Sequence, residues 1–317
     1  MSYVIDRVVE RGAAVKEFHI RRADGGALPD WPPGAHVVLQ FSSADGSAYE
    51  NHYSLIGVPG PAAIYRIAVQ RDAGGKGGSR CLHDEFGAGS RLGMLGPING
   101  FPLDAAVPGV SARVVLIAGG IGITPMISMA HALLAAGVPF VLHYLVRDAD
   151  GLALMDELGA IPPDRIVVHR SRESGRADPG ELLGVYGAGD RCYACGPAGL
   201  LQAVADAGAH LGWPPGALRF ESFGARVQQQ DGALTVELSL SRMTVEVRPG
   251  TSILDALIAA GAFVSYECKR GECGSCYALV EEGQPLHRDV CLTLAMRAEG
   301  MCTCVSWAEP GRLVLEL

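Results

Sequence analysis

The chain has 317 residues, of which 49% are hydrophobic and 19% charged, an ordinary globular composition with enough material for two or three domains. Its formal net charge of −8 argues against a nucleic-acid partner, which would need a basic face. The longest apolar run, residues 114–123, is too short to span a bilayer, and residues 2–9 resemble a strand rather than a leader peptide. We therefore expect a protein of the reducing cytoplasm, outside any membrane, whose cysteines are not paired in disulfides.

Residues 1–105 predict an antiparallel β-barrel or sandwich. Short alternating segments such as 36–41 and 64–70 are separated by Pro-Pro-Gly and Ala-Asp-Gly turns. One strand ends in His-Tyr-Ser-Leu at 52–55, and a Gly-Gly-Ser turn at 77–79 opens a predicted helix. The free N–H groups of such a turn suit a phosphate, although an ordinary loop with Ser79 as the helix N-cap explains the same residues.

Residues 106–225 predict an α/β domain with a doubly wound parallel sheet. A fully apolar strand at 113–118 is followed by Gly119-Gly-Ile-Gly122 and by a predicted helix at 126–136, and further strand–helix units follow. Glycines at such a junction allow a dinucleotide pyrophosphate to approach the helix N-terminus. A purely structural turn with Pro125 at the helix start is the alternative.

Cys192-Tyr-Ala-Cys195-Gly-Pro197 ends a later strand at the same carboxyl edge of this sheet. Cys192 and Cys195 are three residues apart, so strand alternation directs them to opposite faces and argues against a shared metal. Arg147, Arg170 and Arg172 also follow strands. They could bind the 2′-phosphate of NADPH, or they could be solvated surface charge.

Residues 226–317 predict a small α+β domain of the β-grasp ferredoxin type. A polar segment at 226–232 reads as a linker. Beyond it lie two alternating strands at 234–240 and 243–248, a helix at 252–260, and then a loop rich in cysteine.

Cys268, Cys273 and Cys276 have the C-x4-C-x2-C spacing of a plant-type [2Fe–2S] cluster, and Cys304 follows as a fourth ligand. A zinc site is the alternative, but zinc sites usually combine two short C-x2-C knuckles. By spacing alone, Cys302 remains open as the fourth ligand.

Gly271 and Gly274 interrupt the cysteine loop, and we expect them to let its backbone wrap closely and direct N–H groups at the sulfurs. A nicotinamide delivers two electrons as a hydride, whereas one [2Fe–2S] cluster accepts a single electron. A flavin joins the two, and the first domain is its natural site. The sequence contains no catalytic acid–base pair and no Rieske signature, so oxygenation would take place on another polypeptide.

Together, these motifs resemble the phthalate dioxygenase reductase family across essentially the whole chain. Six segments carry the resemblance: 52–55, 77–79, 119–125, 195–197, 220–223 and the cysteine loop. It implies a domain order of FMN, NAD and ferredoxin, and the function of an NADH-dependent reductase, a monomer, for a separate Rieske-type oxygenase. A general flavin or cytochrome reductase is an alternative, and so is an iron–sulfur redox sensor without turnover.

The resemblance also implies roles for individual residues. The flavin and its phosphate would be held by Tyr53, Ser54, Leu55, Lys76, Gly77, Gly78 and Ser79. NADH would be held by Gly119, Gly120, Gly122, Thr124, Gly196 and Pro197, with Cys195 and Phe223 near the nicotinamide–flavin contact. The matching segments 287–289 and 304–306 make Cys304, rather than Cys302, the fourth ligand.

Two positions depart from the family pattern. The family has an arginine just before the Tyr-Ser pair, whereas this chain has Glu50-Asn51-His52. Either Lys76, Arg80 or Arg66 compensates, or FMN binds weakly; we expect the purified protein to lose FMN readily. Trp307 stands where relatives have arginine, from which we expect an altered surface near the cluster.

Overall fold

The computed structural model describes residues 2–75, 77–104, 112–223, 231–309 and 311–317. The chain divides into two compact units, Met1–Glu221 and Ser222–Leu317. The predicted domain boundaries near 105 and 225 both fall outside the described residues, so the division into three domains stays a prediction.

The first part of the first unit is an antiparallel sheet with strand order β5-β4-β8-β1-β2-β7, accompanied by the small pair β3–β6. Its elements are β1 (Tyr3–Glu10), β2 (Val15–Arg22), β3 (Leu28–Trp31), β4 (His36–Ser42), β5 (Ala48–Ser54), β6 (Gly60–Ala62), β7 (Tyr65–Gln70), α1 (Gly78–Glu85) and β8 (Arg91–Ile98). Burial alternates along β5, whereas β2, β4 and β7 each bury three or more consecutive residues, and Phe18, Leu39 and Ile67 are fully buried in the core. A bridge between Leu55 and Ile67 joins the chain after β5, at one edge, to β7 at the other.

The second part of this unit is a parallel sheet with strand order β11-β10-β9-β12-β13. Its elements are β9 (Val114–Gly119), α2 (Ile123–Ala135), β10 (Phe140–Val146), β11 (Ile166–Arg170), α3 (Ser171–Ser174), α4 (Pro179–Leu183), β12 (Arg191–Cys195), α5 (Ala198–His210) and β13 (Leu218–Glu221). Every residue of β9 is buried, as expected for a central parallel strand covered on both faces. Between β10 and β11 the chain forms 3-10 turns, at Ala149–Gly151, Met155–Leu158 and Pro163–Arg165, instead of the expected helix.

The second unit contains a five-stranded sheet of order β15-β14-β20-β16-β18 and the pair β17–β19. Its elements are β14 (Leu234–Leu238), β15 (Met243–Val247), α6 (Ile253–Ala259), β16 (Tyr277–Glu282), β17 (Pro285–Leu286), α7 (Leu294–Glu299), β18 (Gly300–Cys302), β19 (Trp307–Ala308) and β20 (Arg312–Leu315). The Ser252 hydroxyl caps α6 by accepting a hydrogen bond from the amide of Asp255 at 3.0 Å.

Two expectations about this unit are corrected. Residues 224–230 of the predicted linker lie outside the described residues, but Asp231, near its end, is buried and paired with Arg288 at 2.5 and 2.7 Å, so this residue belongs to the folded unit. Trp307 is only 4% exposed, because its indole packs in the core of the unit, and the expectation that it alters a surface is wrong.

A buried ion cluster joins the two sheets of the first unit. Glu17, on β2, is 0% exposed and accepts hydrogen bonds from Arg66 and Arg11, both at 2.6 Å. Arg66 also donates to Glu157 at 3.0 Å, and Arg11 to Asp156 at 2.6 Å; both acceptors lie in a 3-10 turn beside the parallel sheet. Burial alone would raise the pKa of Glu17, but the hydrogen bonds from the two arginines outweigh it, so the pKa lies below its usual value of 4.5.

We expect Glu17→Gln to lower the free energy of unfolding of the first unit by roughly 3–5 kcal/mol near neutral pH, because two partly buried arginines lose their shared carboxylate. Since the folded-state pKa is depressed, the contribution of Glu17 is complete above pH 4.5 and is lost as the pH falls further. The stability difference between the two proteins should therefore shrink in acid, as thermal unfolding of the full chain at several pH values would reveal. Asp6→Asn is the matched control, because Asp6 forms an exposed pair with Arg21 and its loss should cost no more than about 0.5 kcal/mol. Equal effects of the two substitutions would contradict the role of Glu17.

Within the described part of the chain, no helix combines the length and apolar composition needed to cross a membrane.

Candidate functional site

The four predicted ligand cysteines lie near one another in the second unit. The Cys268 thiol is close enough to interact with that of Cys273, and the Cys276 thiol with that of Cys304. Cys304 also interacts electrostatically with Cys268, which links the two pairs. Two pairs of thiols are the donor set that two irons of a [2Fe–2S] cluster require.

Backbone amides of the cysteine loop point at these sulfurs. The N–H of Arg270 donates to Cys268 Sγ at 3.2 Å, and the N–H of Ser275 to Cys273 Sγ at 3.5 Å. Such donors stabilise negative charge on sulfur, so the loop suits thiolates and the cluster they hold.

The two loop glycines behave as the sequence predicts. Gly271 has φ +69° and Gly274 has φ +78°, in the left-handed region that favours glycine. A Cβ on Gly271 would lie 2.6 Å from Val305 Cγ2, so a side chain would also clash at this position. Both residues let the loop turn tightly, Gly271 beside the segment that carries Cys304 and Gly274 beside Cys291.

Cys304 and Cys302 differ in what surrounds their sulfurs. The Gly271 amide of the cysteine loop donates to Cys304, whereas the sulfur contacts of Cys302 are with Cys276 and with Cys291, the latter at 3.8 Å. Hydrogen bonds from Cys302 and then Cys304 lower the pKa of Cys276 to about 3. This geometry favours Cys304 as the fourth ligand, which stays a prediction.

Asp289 stabilises the segment around Cys304. From the sequence alone, it is identified only as part of the matching segment 287–289. It is 0% exposed and accepts hydrogen bonds from the Ser306 hydroxyl at 3.3 Å, from Arg297 at 3.3 Å and from the Leu292 amide at 3.2 Å. Asp289 thereby fixes the chain that follows Cys304 to the loop before α7.

The glycine turn after β9 and the turn after β12 meet at the carboxyl edge of the parallel sheet. Ala118 is in register with Cys195, so the two strands end side by side. A Cβ on Gly122 would lie 2.2 Å from the carbonyl oxygen of Cys195, and one on Gly119 would lie 2.8 Å from Pro197. These two glycines therefore serve the packing of one turn on the other.

Gly120 is the glycine that leaves room at this edge. Its φ is +56°, and a Cβ there would have no described atom within 4 Å. Thr124 is 2% exposed, and its hydroxyl donates a hydrogen bond to the carbonyl oxygen of Ile121 at 3.0 Å. The Cys195 side chain is buried, whereas Pro197 is exposed. The sequence predicts glycines that admit a pyrophosphate, and Gly120 is the one that fits that role best.

The arginines after β10 and β11 lie near one another, since Val146 and Arg170 are in register. Arg172 is paired with Asp148, and Arg170 with Glu173 at 3.4 Å, while Arg147 is exposed. A 2′-phosphate would compete with carboxylates for two of these three cations.

Ser54 and Tyr53 end β5 in an environment that suits a polar ligand. Ser54 is 4% exposed, and its hydroxyl has no hydrogen-bond partner among the described residues, an uncommon state for a buried polar group. The Tyr53 hydroxyl accepts from Asn51 Nδ2 at 2.9 Å, and burial raises the pKa of Tyr53 to about 12, so it remains a neutral phenol. The Leu55 side chain is 0% exposed in the core.

The predicted phosphate turn forms the start of α1. Gly77 has φ +102° and precedes the helix without any side-chain cap, so the alternative reading of Ser79 as N-cap is wrong. Ser79 instead accepts a hydrogen bond from the Asp72 amide at 3.0 Å. A Cβ on Gly78 would lie 2.6 Å from Asn51 Nδ2, so Asn51, the middle residue of the run that departs from the family pattern, faces this turn directly.

Of the three cations expected to compensate, Lys76 lies outside the described residues. Arg66 is engaged by Glu17 and Glu157 in the ion cluster. Arg80 is exposed, and its guanidinium lies 3.6 Å from the position of a Cβ on Gly77. Arg80 is thus the described cation nearest to the turn. Phe223, predicted near the nicotinamide, is 40% exposed at the start of the second unit.

Comparisons with known proteins agree with this geometry. Residues 236–309 match the family model of the 2Fe-2S iron-sulfur cluster binding domain. The chain is 31% identical to the carnitine monooxygenase reductase subunit of Acinetobacter baumannii, covering 99% of this chain and 97% of that protein. It is 34% identical to the vanillate O-demethylase oxidoreductase of a Pseudomonas species, covering 93% of each.

Among solved structures, phthalate dioxygenase reductase, described as a modular structure for electron transfer from pyridine nucleotides to [2Fe–2S], aligns with a TM-score of 0.70 and 33% identity. The alignment covers 100% of this chain and 98% of that one. Both the curated relatives and this structure therefore match from end to end at identities above 30%. The chain belongs to the phthalate dioxygenase reductase family.

Proposed function

We propose that the chain is the NADH-dependent reductase component of a Rieske-type oxygenase, carrying electrons from NADH through FMN and a [2Fe–2S] cluster to a separate oxygenase protein. The observation that carries the proposal is the group of four cysteine sulfurs, in two contacting pairs with amide donors around them. The relatives, by name a monooxygenase reductase subunit and a demethylase oxidoreductase, support the same role.

The proposed arrangement has three domains: an FMN domain at 1–105, an NAD domain at 106–225 and a ferredoxin domain at 226–317. The bridge between Leu55 and Ile67 supports a closed β-barrel for the first. Helices between parallel strands support a doubly wound sheet for the second, and the mixed sheet with α6 supports a β-grasp fold for the third. We propose a monomer in the cytoplasm.

When bound, a flavin accepts two electrons together and releases them singly, which is the chemistry that joins NADH to a one-electron cluster. The residues of this chain bind the flavin and orient it. The buried hydroxyl of Ser54 is free to donate or accept a hydrogen bond at the flavin ring, beside the neutral phenol of Tyr53. The turn at Gly77 and Gly78 offers unpaired amides to the phosphate at the N-terminus of α1.

On the dinucleotide side, Gly120 admits the pyrophosphate, while Gly119 and Gly122 hold the turn against Cys195–Pro197. Cys268, Cys273, Cys276 and Cys304 hold the cluster. Cys273 is the exposed member of this set, which suits transfer to an external acceptor.

In this proposal, Arg80 supplies the positive charge near the flavin phosphate that an arginine before the Tyr-Ser pair supplies in the family. We expect Arg80→Gln to weaken FMN binding roughly fivefold, the modest effect of an exposed charge near a phosphate. The dissociation constant, titrated with apoprotein, should also lose part of its dependence on salt. Arg91→Gln is the control, because Arg91 is exposed on β8 and should leave FMN affinity unchanged. No loss of affinity in Arg80→Gln would exclude this role.

The function is tested by adding NADH to the purified protein without oxygen. The flavin band and the iron–sulfur bands should bleach together, because electrons pass within one chain. Reduction of the flavin alone would exclude internal transfer. NADPH in place of NADH should act more slowly, since two of the three nearby arginines are already paired with carboxylates.

Turnover with an artificial one-electron acceptor separates this function from a redox sensor. The reductase should oxidise NADH continuously with such an acceptor, whereas a sensor would stop after one reduction. A reductase without a dedicated oxygenase would show no faster turnover with any Rieske oxygenase than with an unrelated cytochrome.

A further inference from the structure

Two cysteines outside the proposed ligand set lie against each other. Cys291 Sγ and Cys302 Sγ are 3.8 Å apart. Cys302 is 0% exposed, whereas Cys291 is half-buried, so Cys291 is the more exposed residue of the pair. The remaining cysteines outside the ligand set, Cys81, Cys192 and Cys195, are all buried.

The pair adjoins the proposed cluster site. Cys302 ends β18, opposite Tyr277, the residue that follows ligand Cys276 in the chain. Cys291 Sγ lies 3.8 Å from the position of a Cβ on Gly274, within the cysteine loop. Oxidation of this pair would therefore take place next to a cluster ligand.

We propose that Cys291 and Cys302 form a dithiol that hydrogen peroxide converts reversibly into a disulfide. The inference rests on the proposed function in one respect, namely that Cys304 and not Cys302 is the fourth ligand. The two sulfurs need to approach by roughly 2 Å to reach the S–S bond length of about 2.05 Å.

The chemistry has two balanced steps. Sulfur of Cys291, the less buried partner, attacks one peroxide oxygen: an S–O bond forms, the O–O bond breaks, and the other oxygen leaves as water after taking the thiol proton. Sulfur of Cys302 then attacks Cys291: the S–S bond forms, the S–O bond breaks, and a second water leaves with the second thiol proton. The two thiols lose two electrons, and the peroxide gains them.

This oxidation has a consequence for the cluster. The two sulfurs have to approach by roughly 2 Å, and both residues lie against the cysteine loop, Cys302 opposite Tyr277 and Cys291 beside Gly274. The surroundings of the ligand sulfurs help to set the potential of iron–sulfur clusters. The reduction potential of the cluster should therefore change after peroxide treatment.

The test uses the full-length protein with its cluster and flavin, treated with a small excess of hydrogen peroxide. Free thiols are alkylated without reductant, and peptides are examined by mass spectrometry. We expect a peptide pair linked through Cys291 and Cys302, its disappearance after dithiothreitol, and a shift in cluster potential that dithiothreitol reverses. Intact cluster absorbance without the linked peptides would overturn the proposal.

Variants show whether the Cys291–Cys302 disulfide causes the shift in cluster potential after peroxide treatment. Cys291→Ser should keep the cluster, form no link and show no peroxide-induced shift in potential. Cys192→Ala, which removes a buried cysteine of the first unit, should still form the link. Loss of the cluster in Cys302→Ser together with its retention in Cys304→Ser would identify Cys302 as a ligand and overturn the proposal. Reduction of the cluster by NADH is measured in the same samples. If the Cys291–Cys302 disulfide forms but NADH does not reduce the cluster, the proposed function is refuted and the disulfide proposal is not.

Discussion

Replacing Cys304 by serine should remove the iron–sulfur cluster from the purified protein. The Cys304 sulfur is buried, contacts Cys276 and accepts the Gly271 amide, and a serine hydroxyl at neutral pH is a much poorer ligand for iron than a thiolate. Because metal binding is coupled to folding, by on the order of 10 kcal/mol for structural zinc sites, the second unit should also unfold at lower temperature. Iron content and visible absorbance measure the first effect, and thermal unfolding measures the second.

Cys302→Ser is the matched control, since Cys302 is two residues away and equally buried. It should retain iron and the cluster bands, because Cys302 is not a ligand in the proposed site and its sulfur lies against Cys291. The reverse pattern, with cluster loss in Cys302→Ser and retention in Cys304→Ser, would assign the fourth ligand to Cys302. Loss in both variants would mean that the packing of β18, and not ligation alone, governs assembly.

Local sequence patterns predict the elements of this fold well where hydrophobic periodicity is strong. The buried strand at 113–118 and the alternating strand at 36–41 occur as β9 and β4, each shifted by no more than one residue at either end. Helix α2 begins three residues before the predicted start, at Ile123. Pro125 is tolerated there because amides of the first helical turn have no partner within the helix in any case.

Long-range contacts could not be predicted in the same way. Arg66 is 91 residues from Glu157 in sequence, and only the fold reveals that this cation is engaged and cannot serve the flavin. The expectation that Trp307, which stands where relatives have arginine, would alter the protein surface was wrong for a related reason. Burying a large apolar side chain in the core is more favourable than exposing it to water, and Trp307 is only 4% exposed. Motifs therefore predict which turns could hold a cofactor, whereas the hydrogen-bond partners of a side chain depend on which segments the fold brings together.

Asn51→Arg should tighten FMN binding more than any other single change considered. The side chain of Asn51 lies against Gly78, the first residue of α1, so a guanidinium at position 51 would face the proposed phosphate. A hydrogen bond to a charged group contributes about 1.5–3 kcal/mol, so the dissociation constant should fall by roughly 10- to 150-fold. Titration of apoprotein with FMN, followed by flavin fluorescence, measures the change.

The substitution also has a local cost. Asn51 donates to the Tyr53 hydroxyl at 2.9 Å, and an arginine at this position has to replace that bond or leave the phenol without its donor. We expect the new hydrogen bond between the arginine and the flavin phosphate to outweigh the lost hydrogen bond to Tyr53. The first is charge-assisted, whereas the phenol is a neutral acceptor. A faster rate of flavin reduction is not expected, since position 51 faces the helix turn.

Glu50→Gln is the control for Asn51→Arg, because it makes the same change of one unit in net charge. Glu50 is the neighbouring residue on β5, with its side chain on the opposite, exposed face, where it pairs with Gln40 at 2.9 Å. If affinity rose equally in both variants, the effect would come from the overall charge and not from position 51. If it rose in neither, flavin phosphate would not lie at the Gly77–Gly78 turn, and the site proposed for FMN would be wrong.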